Sequence, residues 1–302
     1  MNFVWPDPRL KATARAQIAY SRMISSAARI AASARRLIAW IVPATAIGLW
    51  WFASRGEWLP EHLTTPHAVL QAFIDTWSSG ELQRNLAATF RWLSAGYAVG
   101  VGVGILCGIT LGLSRRAEEY FYHTFKAVAY IPVLVWIVLW FALLGIGELL
   151  KVVLVAQAAM IPVAFNALAG IRSIPPELIE VGQVLRFRPG QLLGRIVLPA
   201  AFPSLWNGLR LGLIKGWLAL VAIEILSPTG GLGFMLTRAR SLGRFDVMLV
   251  AVISIGLVAY TLDQALKIIG RALHARVRGL NRKTADPMQN CACARQSTAI
   301  LG

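Results

Sequence analysis

Residues 204–226 read SLWNGLRLGLIKGWLALVAIEIL, an apolar stretch interrupted by Arg210, Lys215, Trp217 and Glu224. A charge near the centre of a membrane helix costs roughly 2.5–3.5 kcal/mol on insertion scales, so such residues mark solute pathways or interhelical pairs. At about 100° per residue, Arg210, Trp217 and Glu224 recur every seven positions on one face, and Lys215 lies about 140° round from Arg210. Arg210 and Glu224 sit near the two ends of the stretch, where long side chains snorkel to the surfaces. Lys215 is deepest. It must pair with another helix or face a wet pathway, and a cation on a pathway suits an anionic solute. These four residues are the candidate translocation pathway.

Other chemistry is missing from the sequence. No Gly-x4-Gly-Lys-Ser/Thr occurs, so the chain cannot hydrolyse nucleotide through a P-loop of its own. The histidines His62, His67, His123 and His274 are scattered, no serine lies in Gly-x-Ser-x-Gly, and no acid pair is placed for proteolysis. Cys107 falls in an apolar block, while Cys291-Ala292-Cys293 has no companion histidine or cysteine for a metal. No catalytic residue, metal site or disulfide framework is expected.

The elements that must position Lys215 are membrane helices. The 302 residues are 57% hydrophobic and only 15% charged, where soluble domains carry about a quarter charged residues. The apolar content comes in continuous blocks of about 18–25 residues, the length that crosses about 30 Å of hydrocarbon. Continuous rather than alternating blocks select helices over a barrel. The expected fold is therefore all-α, a polytopic membrane protein with six transmembrane helices near 37–53, 92–113, 127–144, 149–170, 204–225 and 247–269. A basic segment, 1–36, precedes the transmembrane domain of 37–270, and a basic tail, 271–302, comes after it.

The formal net charge of +16 raises the possibility of nucleic acid, but its placement argues for topology. With the N-terminus inside, the cytoplasmic segments hold 20 of the 30 Lys and Arg residues. This positive-inside bias puts both termini in the cytoplasm. The acid-free run 9–36 reads as a basic helix on anionic lipid rather than a cleaved leader. Between the first two spans, Leu70, Phe73, Ile74 and Trp77 recur at helical spacing and predict an amphipathic helix on the outer surface. In the second span, Gly96, Gly100, Gly104, Gly108 and Gly112 fall every fourth residue, a seam for close helix packing. Pro162 is expected to kink the fourth span.

A polar segment, ELIEVGQVLRFRPGQLLGRIVLPAAFP at 177–203, separates the fourth and fifth spans. Within the six-span frame it resembles the EAA loop of ABC importer permeases, with Glu180-Val181-Gly182 in the Glu-Ala-Ala place and Ile196-Val197-Leu198-Pro199 as the ending. Pro203 and Gly208-Leu209-Arg210 match the residues that typically come after that loop in the family. Residues 79–82, 112–115, 145–148, 175–178, the Trp217 to Glu224 run and 231–233 are similar to the nitrate/sulfonate/taurine branch. The resemblance covers about 60–270. It departs at Arg186, where the loop glycine is expected, and at Val138, where a second proline often stands.

The resemblance implies a permease subunit that moves a small anionic or zwitterionic solute of the sulfonate, taurine or nitrate type. Vitamin precursors and aromatic acids remain alternative substrates, and an ATP-independent secondary transporter is the rival mechanism. It implies a coupling loop, 173–199, in which Glu177, Glu180, Gly182, Arg186, Arg188, Leu198 and Pro199 meet a cytoplasmic ATPase. Pro199 would give a fixed corner and Glu180 a charge or cap anchor. ATP and Mg would be bound by that partner and not by this chain. A periplasmic solute-binding protein and a second permease copy would complete the assembly in the bacterial inner membrane.

Overall fold

A computed structural model of the chain describes residues 41, 44, 45, 47–54 and 64–298. It divides into two units, Met1–Ala68 and Val69–Gly302. In the first, residues 47–53 are helical, in keeping with the first expected span, while the basic segment 1–36 lies outside the described residues. The second unit is helical throughout its described elements.

Helix α1, Pro66–Ser78, buries Val69, Ala72 and Thr76 and leaves Leu70, Phe73, Ile74 and Trp77 exposed. The expected amphipathic helix is present, and its apolar stripe points away from the protein. Gly80, at φ 74, turns the chain into α2, Glu81–Leu113. This helix starts 11 residues before the expected span because no glycine or proline interrupts it between Glu81 and Ala95.

The centre of the unit is α5, Glu148–Arg172, with Val155, Ala159 and Val163 fully buried. Two rows of glycine grip it. From α2, a Cβ on Gly100 would lie 2.4 Å from the Ala156 carbonyl oxygen, and one on Gly104 2.7 Å from that of Met160. Gly96 and Gly108 meet Val155 and Ala167 in the same way. From the other side comes α8, Leu198–Leu226, whose Gly208 and Gly212 rest on the backbone of Pro162, Val163 and Ala159. Lipid tails are as apolar as leucine, so close backbone approach is what holds such helices together. The seam read at 96–112 is therefore a packing surface, and α8 repeats it.

Between α2 and α5 lie α3, Arg115–Tyr130, and α4, Val133–Leu144, bent by 96° to one another. The expected third span, 127–144, is thus not one helix. Pro132 has no N–H to continue the ladder, and Ile131 before it is extended at φ −74, ψ 120. The 12 residues of α4 reach only about 18 Å, short of a full bilayer crossing. Trp140 Nε1 donates to Gln157 Oε1 at 2.6 Å and fastens α4 to α5. Tyr122 packs edge-on against Phe165, and Arg172 pairs with Glu118, fixing α3 to the far end of α5.

After α5 come two short helices, α6 (Pro176–Val184) and α7 (Pro189–Leu192), then a single π-helical turn, Leu193–Val197, that runs into α8. Past α8, Gly230 and Gly231 turn the chain back into α9, Leu232–Ser241, and α10, Phe245–Thr298, closes the chain. Helices α2, α5 and Phe245–Leu273 of α10 are long and apolar enough to cross a membrane, and the bent α3–α4 pair makes a fourth candidate. Helix α8 has the length and carries three charges.

The glycine seam gives a paired prediction. Gly100→Val should cost about 1–3 kcal/mol or more, the usual range for overpacking, and lower the yield of monodisperse protein in mild detergent. Gly102→Ala, with nothing within 4 Å of an added Cβ, should change neither. Equal behaviour of the two variants in size-exclusion profiles and thermal unfolding would sink the packing account.

Candidate functional site

Two regions carry the polar groups. The first is the α6–α7 segment. Pro175 and Pro176 start α6, and Glu177 lies in its first turn, where its charge complements the helix dipole. Glu180 lies mid-helix and exposed.

Helix α6 ends on Arg186, at φ 52 the one non-glycine with positive φ among the described residues. The N–H of Phe187 donates to the Gly182 carbonyl at 3.0 Å, and that of Arg186 to Gln183 at 2.9 Å. This is the Schellman closure, whose left-handed position normally falls to glycine. An arginine there costs about 1–2 kcal/mol, yet the turn is made. Gly182 lets the segment fold on itself, since a Cβ would sit 2.5 Å from Leu192 Cδ1 and 2.9 Å from Ile196 Cδ1.

Arg188 starts α7 and its N–H donates to Gln191 Oε1 at 3.0 Å. From Pro189 to Leu226 the chain is helical without a break. Pro199, expected to give a fixed corner, lies within this helical run. Leu198 N–H bonds the Leu193 carbonyl across the wide π turn, and Pro199 comes next in the first turn of α8. The break in the helical structure of the segment is at 185–188. Leu178, Val181, Val184 and Leu185 of α6 are 45–82% exposed beside exposed Glu177, Glu180, Arg186 and Arg188, an apolar patch rimmed by charge.

The second region surrounds α8. Glu224 does not snorkel. It is fully buried, accepting from Thr89 Oγ1 at 2.8 Å and from the Gly233 N–H at 3.0 Å. Thr89 in turn accepts from the Leu232 N–H at 3.0 Å, and Asn85 Oδ1 from Gly231 at 3.1 Å. Lys151 is buried alongside, with Nζ 3.1 Å from the Gly230 carbonyl and 3.5 Å above the Trp92 ring, and it attracts Glu224 electrostatically. Gly231, at φ 103, has its Cα against the carboxylate, and a Cβ there would lie 2.4 Å from the carboxyl carbon. The network pins the Gly-Leu-Gly turn to α2, α5 and α8.

Arg210 is half-buried and pairs with Asp263 of α10 at 2.6 Å, while Lys267 holds the other Asp263 oxygen at 2.7 Å. Trp217 is buried at 3% exposure. Lys215 is neither paired nor buried among the described residues. Its side chain is exposed at the wall of a cleft of about 590 Å³ between the α3–α4 bend, α5 and α8, which Trp136, Gln157 and Pro162 also line. Of the four pathway candidates, then, Trp217 and Glu224 lie in the packed interior, Arg210 in an interhelical ion pair and Lys215 on an open wall.

Residues 100–279 match the family described as binding-protein-dependent transport system inner membrane component. The chain belongs to this family. It is a membrane-embedded transport permease, the subunit through which an ATP-driven importer passes its solute. The permease is 32% identical over 242 residues to the taurine transport system permease protein TauC of Escherichia coli (strain K12), covering 76% of this chain and 86% of that one. It is 28% identical over 202 residues to the nitrate import permease protein NrtB of a Synechocystis strain, covering 67% and 74%. Its fold matches a chain of the MetNI methionine ABC transporter, solved in inward-facing conformations, with TM-score 0.56 at 22% identity over 63% of the permease and 95% of that chain.

Sequence reasoning passed over Thr89, Asn85, Lys151, Asp263, Trp136 and Gln157. Lys151 and Asp263 had a signal, each being a charge inside or at the edge of an apolar block. Thr89 and Asn85 had none, because their partners lie more than 130 residues away.

The Glu224 network should be brittle. Glu224→Gln puts an amide –NH2 against an N–H or O–H donor, and Thr89→Val strips the Leu232 N–H of its acceptor. Each should cost about 1–3 kcal/mol. Gly231→Ala should cost more, since it adds a clash to a left-handed backbone. Thermal unfolding of the purified variants checks the order. Native-like midpoints for all three would remove the network's structural role.

Proposed function

We propose that this permease imports a small anionic or zwitterionic solute of the sulfonate, taurine or nitrate type, driven by ATP hydrolysed on a separate cytoplasmic subunit. The observation that carries the coupling is the α6–α7 hairpin, which presents an apolar patch with a charged rim and is continuous with α8. A patch of exposed Leu and Val inside a charged rim is what a docking partner buries. Glu177, Glu180, Arg186 and Arg188 form the rim, Gly182 closes the hairpin, and Leu198 and Pro199 lie where it joins α8. Force applied at α6 therefore reaches the wall that holds Lys215.

The substrate class is supported by the taurine and nitrate permeases that the chain resembles and by a lone cation on the cleft wall. Lys215 lines the pathway, with Arg210, Trp217 and Glu224 behind it as supports that fix α8 against α10, α5 and α9. ATP and Mg bind the partner. A periplasmic binding protein delivers the solute, and a second, identical permease supplies the opposite wall. The chain works in a bacterial inner membrane, and the concentration of Lys and Arg on one side supports an orientation with both termini in the cytoplasm.

Coexpression with its cytoplasmic ATPase partner provides the test. Val184→Asp and Leu185→Asp should reduce co-purification of the ATPase at least tenfold without changing permease yield. Arg186→Gly should retain docking, raise the thermal midpoint through relief of about 1 kcal/mol of left-handed strain, and make docking less sensitive to salt. Docking unaffected by either aspartate would place the coupling face elsewhere.

A further inference from the structure

The cleft beside Lys215 has an unusual polar inventory. Its walls are mostly apolar: Ile131, Pro132, Ile161 and Leu218 among others. No carboxylate lines it. Three side chains bring polar groups, and each presents a donor. Lys215 carries an ammonium with no hydrogen bond or ion pair among the described residues. The Trp136 indole N–H is buried and has no acceptor among the described residues. An indole nitrogen can only donate.

Gln157 completes the set. Its Oε1 accepts from Trp140 Nε1 at 2.6 Å, and because Trp140 can only donate, the amide cannot be flipped. That bond takes one of the two lone pairs of Oε1 and turns the –NH2, again a donor, away from Trp140. The polar side chains of this wall therefore offer a positive charge and N–H groups in excess, against one remaining lone pair on Gln157 Oε1. Pro162, which has no N–H, also deprives the Ala158 carbonyl of its usual helical donor. Three donors beside few acceptors suit a zwitterion as well as a simple anion.

An unmet buried N–H costs free energy, and a lone cation in an apolar wall attracts counter-charge. A cleft of about 590 Å³ falls within the range for small-molecule sites. We propose that this cleft is an oxyanion site on the translocation route, in which Lys215 and Trp136 hold the sulfonate or nitrate oxygens and Gln157, oriented by Trp140, adds a third donor. This rests on the reading of the chain as an anion permease. Lys215 and Trp136 then determine specificity by touching the solute, and Trp140 is a positioning residue.

The test uses the assembled transporter, permease with its ATPase and binding protein, in liposomes, with radiolabelled taurine and labelled nitrate as probes. Lys215→Met should lower the uptake rate of both by about 10- to 100-fold, the range for a charge-assisted hydrogen bond. Lys215→Arg should keep most of it, and Trp136→Phe should lose about 2- to 10-fold. Co-purification of the ATPase and the thermal midpoint should stay native in all three, which separates a lost site from a lost fold. If the native transporter imports either probe and both Lys215→Met and Trp136→Phe remain within twofold of it, the oxyanion site is wrong while the anion permease stands. If the native assembly imports neither probe but carries a cation or an uncharged solute, the anion reading falls and the site falls with it.

Discussion

Helix α5 meets its neighbours backbone to backbone, and the rest of the permease depends on that contact. Where side chains are removed from a helix face, carbonyls and Cα hydrogens of the next helix come within van der Waals range, and dispersion with weak Cα–H···O contacts replaces the hydrophobic drive that lipid does not supply. Gly96 to Gly108 of α2 do this on one side of α5, and Gly208 to Gly216 of α8 on the other. Because α5 is held so closely, the groups along it have fixed addresses. Lys151 lies in the Glu224 network near one end, Gln157 and Pro162 line the cleft midway, and Arg172 ties α3 at the other end.

Much of this was legible in local patterns. A glycine every fourth residue declares a seam by itself, and a polar insertion between apolar blocks declares an extramembrane segment. The repeat in α8 is equally plain at Gly208, Gly212 and Gly216, but the charges on that helix are the louder signal. What those charges do could not be read locally. Arg210 finds Asp263 53 positions away, and Glu224 finds Thr89 135 positions away, so helical spacing alone left both looking like surface-seeking ends. Lys215 has no such partner, and its exposed position agrees with its depth in the sequence. The third span is two helices rather than one because the effect of Pro132 on the residue before it outweighs the run of apolar side chains around it.

Arg186 shows a local rule broken without loss of the structure the rule protects. The expected glycine marks a backbone shape, and that shape persists with an arginine in it because two hydrogen bonds from Arg186 and Phe187 close the turn. The sequence departs from the pattern while the geometry keeps it. The cation is then an addition to the hairpin's surface rather than a defect in its turn.

The unbroken helical run from Pro189 to Leu226 has a mechanical consequence. Its 38 residues span about 57 Å at 1.5 Å each, and a tilt of about 10° around its middle would carry the two ends about 5 Å in opposite directions. Were the glycine row that meets α5 its fulcrum, the gain of such a lever would be set by where along the run the pivot fell. Moving the seam by one turn would alter the stroke at the cleft without touching the hairpin or the solute.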